Sequence, residues 1–203
     1  MGEISDNEVI HLIRSGDRSA FSMLVRRHQK SLLRLSLRFV KDMDMAEDVV
    51  QESFIKAYER LASFEARSSF RSWLFQIAIN TAKNKLRDRR QDTTDIELVP
   101  LAVAARAETG LLHNAVASLI QKHVEDLPFK QRTALTLRIY EDLSFKEIAE
   151  IMECPYDTAK ANYRHALMRL REELQSHSDL KSWTEEVGGF FMEVERKTAE
   201  VES

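Results

Sequence analysis

The chain has 203 residues, of which 43% are hydrophobic, and its formal net charge is −3, from 30 basic and 33 acidic residues. This length allows one medium domain or two small ones with their own cores, and the slightly acidic total excludes a chain that binds DNA strongly through its overall charge. Few glycines and prolines, together with amphipathic spacing nearly throughout, predict an all-α fold.

Two further classes are excluded by composition. A single cysteine, Cys154, rules out an internal disulfide and a cysteine-based zinc site, and we expect it to be a small half-buried cap rather than a redox sensor. No apolar run is long enough to cross a bilayer and no signal peptide is recognisable, so we expect a cytoplasmic chain with no membrane insertion.

A helix is predicted from Met45 to Leu61, with its apolar side (Ala46, Val49, Val50, Phe54, Ala57, Tyr58 and Leu61) facing the core. Its other side is polar and carries Asp44, Glu47, Asp48, Gln51 and Glu52. Asp44, Asp48 and Glu52 lie one turn apart, which permits a divalent metal site, yet nothing in the sequence completes one. A docking surface is the preferred interpretation of this side, ahead of a solvated face, and no metal or other cofactor is expected.

The most informative segment is Phe70–Arg90, a predicted helix with two distinct faces. Phe70, Trp73, Leu74, Ile77, Ala78 and Thr81 stack on one side, continued by Phe75, Ile79, Ala82 and Leu86. The remaining narrow stripe is polar and consists of Gln76, Asn80, Lys83, Asn84, Arg87 and Arg90, with Trp73 at its rim. Amides that can read base edges alternate there with cations that can hold phosphates, which suits nucleic-acid binding. A buried helix with a merely solvated basic side is an equally good interpretation of this segment alone, and the second domain decides between the two.

The stretch from 91 to 111 differs from both neighbours. It contains four acids (Asp92, Asp95, Glu97 and Glu108) and a single basic residue, Arg106. Its hydrophobic periodicity is weak and is interrupted by Pro100 and Gly110. This composition predicts an acidic linker between two small helical domains, residues 1–90 and 112–175.

The second domain carries a predicted helix-turn-helix. Ser144 and Glu147 have the spacing of a capping box, and Pro155 is expected at the first position of the next helix, whose inner face is Ala159, Tyr163, Ala166, Leu167, Leu170 and Leu174. The outward residues of that helix suit the DNA major groove: Asp157, Thr158, Lys160, Ala161, Arg164, His165 and Met168. An ordinary helical hairpin is the alternative, and the cap, the proline and the local excess of cations weigh against it.

Together these segments resemble the extracytoplasmic-function class of bacterial sigma factors, the promoter-recognition subunits of RNA polymerase. The resemblance covers about residues 5 to 174. Within it, Asp17–Leu24 resembles the opening helix, Asp44–Leu61 the polymerase-binding helix, FRSWLFQIAINTAKNKLR the promoter-melting helix, and Leu127–Pro155 region four.

The resemblance implies three sets of site residues. The acidic side of the Met45–Leu61 helix is expected to bind the polymerase. Minus-ten DNA, including a flipped base at the 64–69 loop, is assigned to Phe64, Ala66, Arg67, Ser68, Ser69, Trp73, Gln76, Asn80, Lys83, Asn84, Arg87 and Arg90, with packing the slightly favoured role of Trp73. Minus-thirty-five DNA is assigned to Tyr156, Asp157, Thr158, Lys160, Ala161, Arg164, His165 and Met168.

The second helix of this motif departs from the family pattern at two positions. Asn162 and His165 stand where the family usually has arginine, so we expect fewer phosphate contacts and a weaker salt dependence.

Residues 176–203 form an acidic extension beyond the family pattern. Between Asp179 and Ser203, seven acids accompany three cations, and Trp183, Val187, Phe190, Phe191 and Val194 give the segment an apolar side. We expect either a helical segment that covers another surface or partner, or a disordered tail.

The expected function is promoter-specific transcription initiation in partnership with core RNA polymerase and promoter DNA, duplex and single-stranded. The family also implies an anti-sigma factor, a stress or envelope response, and a chain that is monomeric when free. A free-standing dimeric regulator using the same helix-turn-helix is the alternative, although no ligand or receiver domain is recognisable. Catalysis is not expected, because no nucleophile and base pair, phosphate loop or metal cluster is recognisable.

Overall fold

The computed structural model describes residues 4–66, 68–92 and 111–176, and at 90–92, 111–118 and 175–176 it describes the backbone alone. Eight α-helices and no strand occur in these ranges, which confirms the predicted all-α class. They are α1 Asp6–Arg14, α2 Phe21–Val40, α3 Met43–Arg60, α4 Phe70–Asp92, α5 Leu111–Asp126, α6 Phe129–Tyr140, α7 Phe145–Ile151 and α8 Tyr156–Ser176. The chain divides into two compact units, residues 1–103 and 104–203.

In the first unit, α2, α3 and α4 pack against one another around a common core. Leu32 and Leu35 of α2, Val49 of α3, and Leu74 and Phe75 of α4 are each 0% exposed. Burying a side chain of this size stabilises the fold by about 1.5–3 kcal/mol. These contacts hold α4 rigidly along the bundle, so its outer face has a defined position.

The opening helix differs from the prediction. Asp17–Leu24 is not one helix: Gly16 has φ +113°, and the side chain of Asp17 then accepts a hydrogen bond from the Ser19 amide at 3.1 Å, which caps a 3-10 turn. Helix α2 begins only at Phe21, and the first helix is α1, upstream of the predicted one. The capping box of Ser5 and Glu8 is the local signal that identifies α1.

The predicted polymerase-binding helix is present as α3, with two differences. It begins at Met43, two residues before the prediction, because the carboxylate of Asp42 accepts a hydrogen bond from the Met45 amide at 2.9 Å. Tyr58, expected in the core, is 40% exposed, and its ring contacts Phe21 with centroids 5.0 Å apart. The side that the pattern assigns to the core therefore carries one ring at the surface, Tyr58, whereas its last predicted residue, Leu61, is buried.

The second unit contains the predicted short helix and the longer helix after it. Helix α8 packs against α6 and α7, and their shared core contains the fully buried Leu135 and Leu137 of α6, Ile148 of α7 and Leu170 of α8. Pro155 does not occupy the first helical position, because α8 begins at Tyr156. Its carbonyl instead accepts the Thr158 and Ala159 amides at 3.0 and 3.1 Å, so the proline ends the turn immediately before the helix.

The linker and the C-terminal extension lie almost entirely outside the described residues. Helix α4 continues through Asp92, and α5 begins at Leu111, so both ends of the predicted 91–111 linker have helical backbone. Of the predicted 176–203 extension, only Ser176, the last residue of α8, is described. The proposed domain boundaries therefore stay a prediction.

Candidate nucleic-acid interface

The outer face of α4 carries the amides and cations that the periodicity predicted. Asn80, Lys83, Asn84 and Arg87 are exposed and Gln76 is half-buried, and we call these five residues the α4 stripe. The opposite face is buried and includes Phe70, Leu74, Phe75, Ala78 and Ala82. Arg90, also predicted here, has a described backbone alone. Asn80, Lys83 and Asn84 are therefore accessible to a partner, and the exposed Arg87 pairs with the neighbouring Asp88 at 3.1 Å.

An aromatic cluster lies at the start of the α4 stripe and consists of Phe64, Phe70 and Trp73. The Phe64 ring lies 5.0 Å from that of Trp73 and 6.0 Å from that of Phe70, measured between centroids. Phe64 is 5% exposed and Trp73 is half-buried. The buried ring of Phe64 therefore packs against Trp73 from the core side, and Trp73 has the more accessible ring.

The loop at 64–69, which we call the minus-ten loop, is held at both described ends. Ser69 caps α4, since its hydroxyl accepts the Ser72 amide at 3.1 Å and its carbonyl accepts the Trp73 amide at 3.1 Å. Ala66 has φ +55°, a left-handed conformation unusual for a residue with a Cβ. Ala66 and Ser69 are exposed and Ser68 is half-buried, whereas Arg67 lies outside the described residues.

The acidic side of α3 divides into an open part and a paired part. Asp44, Glu47, Asp48 and Gln51 are exposed, and neither Asp44 nor Glu47 forms an ion pair within the part of the chain that the structure describes. Glu52 is half-buried and bonds Lys56 at 2.6 Å. Among the described residues, no group of carboxylates, histidines or cysteines is arranged to hold a metal ion.

A cation from α4 bridges to this acidic side. The Lys85 Nζ lies 3.3 Å from a Glu52 carboxylate oxygen and 3.7 Å from one of Asp48. The hydrogen bond from Lys56, together with Lys85, holds the pKa of Glu52 below its usual range. Sequence reasoning missed this link, because the pattern identifies Lys85 only as one more cation of a basic segment.

The helix-turn-helix of the second unit rests on local and tertiary bonds. The capping box is formed as predicted: the Ser144 amide donates to the Glu147 carboxylate at 2.9 Å, and the Glu147 amide donates to the Ser144 hydroxyl at 3.3 Å. The Cys154 amide donates to the Ala149 carbonyl at 3.0 Å, which closes the turn. Cys154 is half-buried, and burial raises the pKa of its thiol, so a reactive thiolate is disfavoured.

A buried arginine that the pattern did not identify supports this motif. Arg138 of α6 is 3% exposed, donates to the Leu143 carbonyl at 2.9 Å, and places its guanidinium 5.5 Å from the centroid of the Phe145 ring. Phe145 in turn contacts the rings of Tyr163 and Tyr156. Arg138 thus ties α6 to the first helix of the motif.

The outward face of α8 presents most of the residues predicted to contact DNA. Tyr156, Asp157, Thr158, Arg164, His165 and Met168 are exposed, and Lys160 and Ala161 are half-buried. The inner residues are buried, except for Leu167, which is half-buried. The side-chain amide of Asn162 donates to the Thr158 carbonyl of its own helix at 2.8 Å, so it is directed along the helix.

Comparison with known proteins is consistent with both units. The profile of Sigma-70 region 2 matches residues 24–91, and that of Sigma-70, region 4 matches residues 117–170. The chain is 37% identical to the RNA polymerase sigma-H factor of Pseudomonas aeruginosa over 84% of this chain and 94% of that protein. It is 35% identical to the ECF RNA polymerase sigma-E factor of Escherichia coli K12 over 86% of this chain and 94% of that protein.

A solved structure agrees with the sequence relatives. The chain resembles the sigma factor RpoE from Bartonella quintana, solved with the anti-sigma factor NepR, at 28% identity and a TM-score of 0.61 over 76% of this chain and 96% of that one. No helix of the described residues is long and apolar enough to cross a membrane. On the strength of these relatives and of the two matching profiles, together with four described α-helices in each unit, an amide and cation stripe on α4 and a helix-turn-helix at α7–α8, the chain belongs to the extracytoplasmic-function sigma factors of bacterial RNA polymerase.

Proposed function

We propose that this sigma factor recognises and melts the minus-ten element with the minus-ten loop and the α4 stripe. The observation that carries this proposal is their continuity: the half-buried Trp73 is followed on one face, turn after turn, by the amides and cations of the α4 stripe. An unpaired base stacked on an aromatic ring contributes about 1–3 kcal/mol, and exposed cations beside it attract the strand. Asn80 and Asn84 have the donors and acceptors needed to read base edges.

The open part of α3 is the proposed contact with core RNA polymerase. Asp44, Glu47 and Asp48 project from one exposed side, and Gln51 continues it. Asp44 and Glu47 have no ion-pair partner among the described residues, and Asp48 is paired only with Lys85 at 3.7 Å, so this negative charge favours a basic partner surface. Glu52 contributes less in this proposal, since Lys56 and Lys85 already neutralise it.

The exposed face of α8 is the proposed contact with minus-thirty-five duplex DNA. Arg164 is the exposed cation at its centre, and Tyr156 and Asp157 lie at the helix N-terminus, where recognition helices approach bases. His165 adds an imidazole, which is shorter than arginine and offers fewer donors. This face therefore anchors phosphates less strongly than an arginine-rich helix.

Regulation and location follow from the same proposal. The related RpoE is described in complex with an anti-sigma factor, which supports control of this chain by a similar antagonist. A chain that works on the polymerase acts in the cytoplasm as a monomeric specificity subunit. In this proposal the polymerase supplies the catalytic chemistry, and this chain supplies recognition.

The test is reconstituted transcription on a library of randomised promoter templates with core polymerase. Wild type is compared with a double variant, Asn80→Ala plus Arg87→Ala, in the α4 stripe. The matched control is Gln29→Ala plus Lys30→Ala, which removes an exposed amide and an exposed cation from α2. Core binding is measured for every variant in parallel.

We expect initiation to require the chain. We also expect open-complex formation to fall about tenfold or more in the α4 variant and to stay unchanged in the control variant. Unchanged open-complex formation in the α4 variant contradicts the assignment. Failure to bind core polymerase, with sequence-specific duplex binding retained, instead supports a free-standing regulator.

A further inference from the structure

Helix α1 lies before the part of the chain that matches Sigma-70 region 2, yet its last residue contacts the start of the minus-ten loop. The Arg14 guanidinium donates to the Leu61 carbonyl at 2.8 Å, to the Ala62 carbonyl at 3.4 Å, and also to the carbonyl of Phe64. These carbonyls belong to a 3-10 turn, Leu61–Ser63, and to the residue that follows it. The Leu61 carbonyl also accepts the Phe64 amide at 3.2 Å, so the Arg14 guanidinium is a second donor that joins the turn to the residue after it.

The first residue of α1 is connected to the aromatic cluster by a second route. The carboxylate of Asp6 bonds Arg27, and it bonds the ring of His28 at 2.8 Å. His28 is 6% exposed, and its ring lies 5.4 Å from that of Phe70, the first residue of α4. Both ends of α1 therefore reach the residues that hold the minus-ten loop.

The middle of α1 is fixed to the bundle by its apolar side. Val9 is 0% exposed and Ile10 is 3% exposed, whereas Asn7, Glu8 and His11 face outward. A nine-residue helix is not stable in isolation, so its position comes from this packing and from the bonds at its ends. Arg14 is thus presented to the loop by an anchored element.

We propose that Arg14 is a positioning residue for minus-ten capture: it holds the carbonyls of Leu61, Ala62 and Phe64 so that Phe64 stays packed against Trp73. This inference rests on the proposed function, since it assigns base capture to the minus-ten loop. Ala66, with its left-handed backbone, follows two residues later, so a loosened Phe64 gives the loop an easy route to other conformations. Without Arg14 the base pocket is still present but is no longer preorganised.

The first experiment separates binding of the minus-ten strand from binding of the polymerase. Holoenzyme is titrated with a fluorescent single-stranded oligonucleotide that carries the minus-ten element selected by wild type from randomised DNA. The variants are Arg14→Ala, Arg14→Lys and Asn80→Ala, and Arg18→Ala is the matched control. Arg18 is exposed, and its side chain forms no hydrogen bond or ion pair to the residues that the structure describes.

We expect Arg14→Ala to weaken oligonucleotide binding about tenfold while core binding stays within about twofold of wild type. Arg14→Lys should recover part of the loss, because lysine keeps the charge and a donor but not the guanidinium geometry. Arg18→Ala should behave as wild type.

The second experiment observes the aromatic cluster directly. The sequence has two tryptophans, so in the free chain a Trp183→Phe background leaves Trp73 as the only tryptophan, and it is excited at a wavelength that tyrosine does not absorb. Arg14→Ala in that background should shift the emission of Trp73 to longer wavelength and increase its quenching by acrylamide, since the Phe64 ring that packs against it is released.

Four results overturn the proposal. If Arg14→Ala binds the oligonucleotide normally and Asn80→Ala binds it weakly, the role of Arg14 is overturned and the proposed function remains intact. If both variants bind normally, the role of Arg14 and the proposed function are both overturned. Weaker oligonucleotide binding with unchanged Trp73 emission assigns Arg14 to direct DNA contact instead. An equal loss of core binding indicates general destabilisation of the first unit.

Discussion

Replacing Phe145 by alanine should selectively unfold the second unit. Phe145 is 2% exposed, and its ring centroid lies 5.3 Å from that of Tyr163 and 6.4 Å from that of Tyr156. The Arg138 guanidinium adds a contact at 5.5 Å. A buried Phe→Ala substitution lowers the free energy of unfolding by about 3–5 kcal/mol. Each aromatic pair contributes about 0.5–1.5 kcal/mol beyond the burial of its surface, and this contribution is lost with the ring.

A loss near 4 kcal/mol changes a folding equilibrium about a thousandfold. Small domains have stabilities of about 5–15 kcal/mol, and a short unit lies at the lower end of that range. Phe145→Ala should therefore leave the second unit marginally folded at 25 °C and unfolded at physiological temperature, because the ring joins α6, α7 and α8 at one point.

The assay is urea unfolding of the full chain followed by hydrogen exchange of peptides from each unit. Peptides from α6 to α8 should lose protection in Phe145→Ala, whereas those from α2 to α4 should keep theirs. Phe145→Leu is the matched control, since it retains apolar contact and leaves a smaller cavity. In holoenzyme the alanine variant should lose minus-thirty-five duplex binding and keep binding of the single-stranded minus-ten oligonucleotide.

A destabilisation below about 1.5 kcal/mol would refute this reasoning, because it would mean that the site collapses around the cavity or that the ring contacts contribute little. Equal loss of protection in both units would refute the independence of the two units.

Two more predictions concern charged residues. Glu52→Gln should destabilise the chain by up to about 1 kcal/mol at neutral pH, because the ion pair with Lys56 is partly exposed. Lys56 and Lys85 lower the pKa of Glu52 in the folded chain. The stabilisation is therefore present above the pKa of the unfolded chain and is lost as the pH falls through the lowered value. Urea unfolding of wild type and Glu52→Gln at about pH 7 and about pH 4 checks this, and an equal difference in unfolding free energy between the two proteins at both pH values contradicts it. Arg164→Ala should weaken promoter binding more than His165→Ala, because arginine is always charged. Selection on randomised DNA with each variant measures the ranking, and the reverse order contradicts the prediction.

The amino-acid sequence was sufficient where the determining interactions are local. The two faces of α4 follow from side-chain direction at each helical position, so Asn80 and Lys83 are exposed and Leu74 is buried as predicted. The capping box at Ser144 and Glu147 involves residues three positions apart, and it places the start of α7 correctly. Family membership depends on the same segments.

Only the tertiary structure decided how the helices use their charged and aromatic residues. The buried position of Phe64, the link from Lys85 to Glu52, and the contact from Arg14 to Leu61, 47 residues further along the chain, have no local signature. Periodicity determines which side of a helix faces inward, but it does not identify the residue on another helix that the side chain meets. That pairing depends on the packing of α1, α3 and α4 against the bundle, and such packing sets the positions of the minus-ten loop and of the open acidic side of α3.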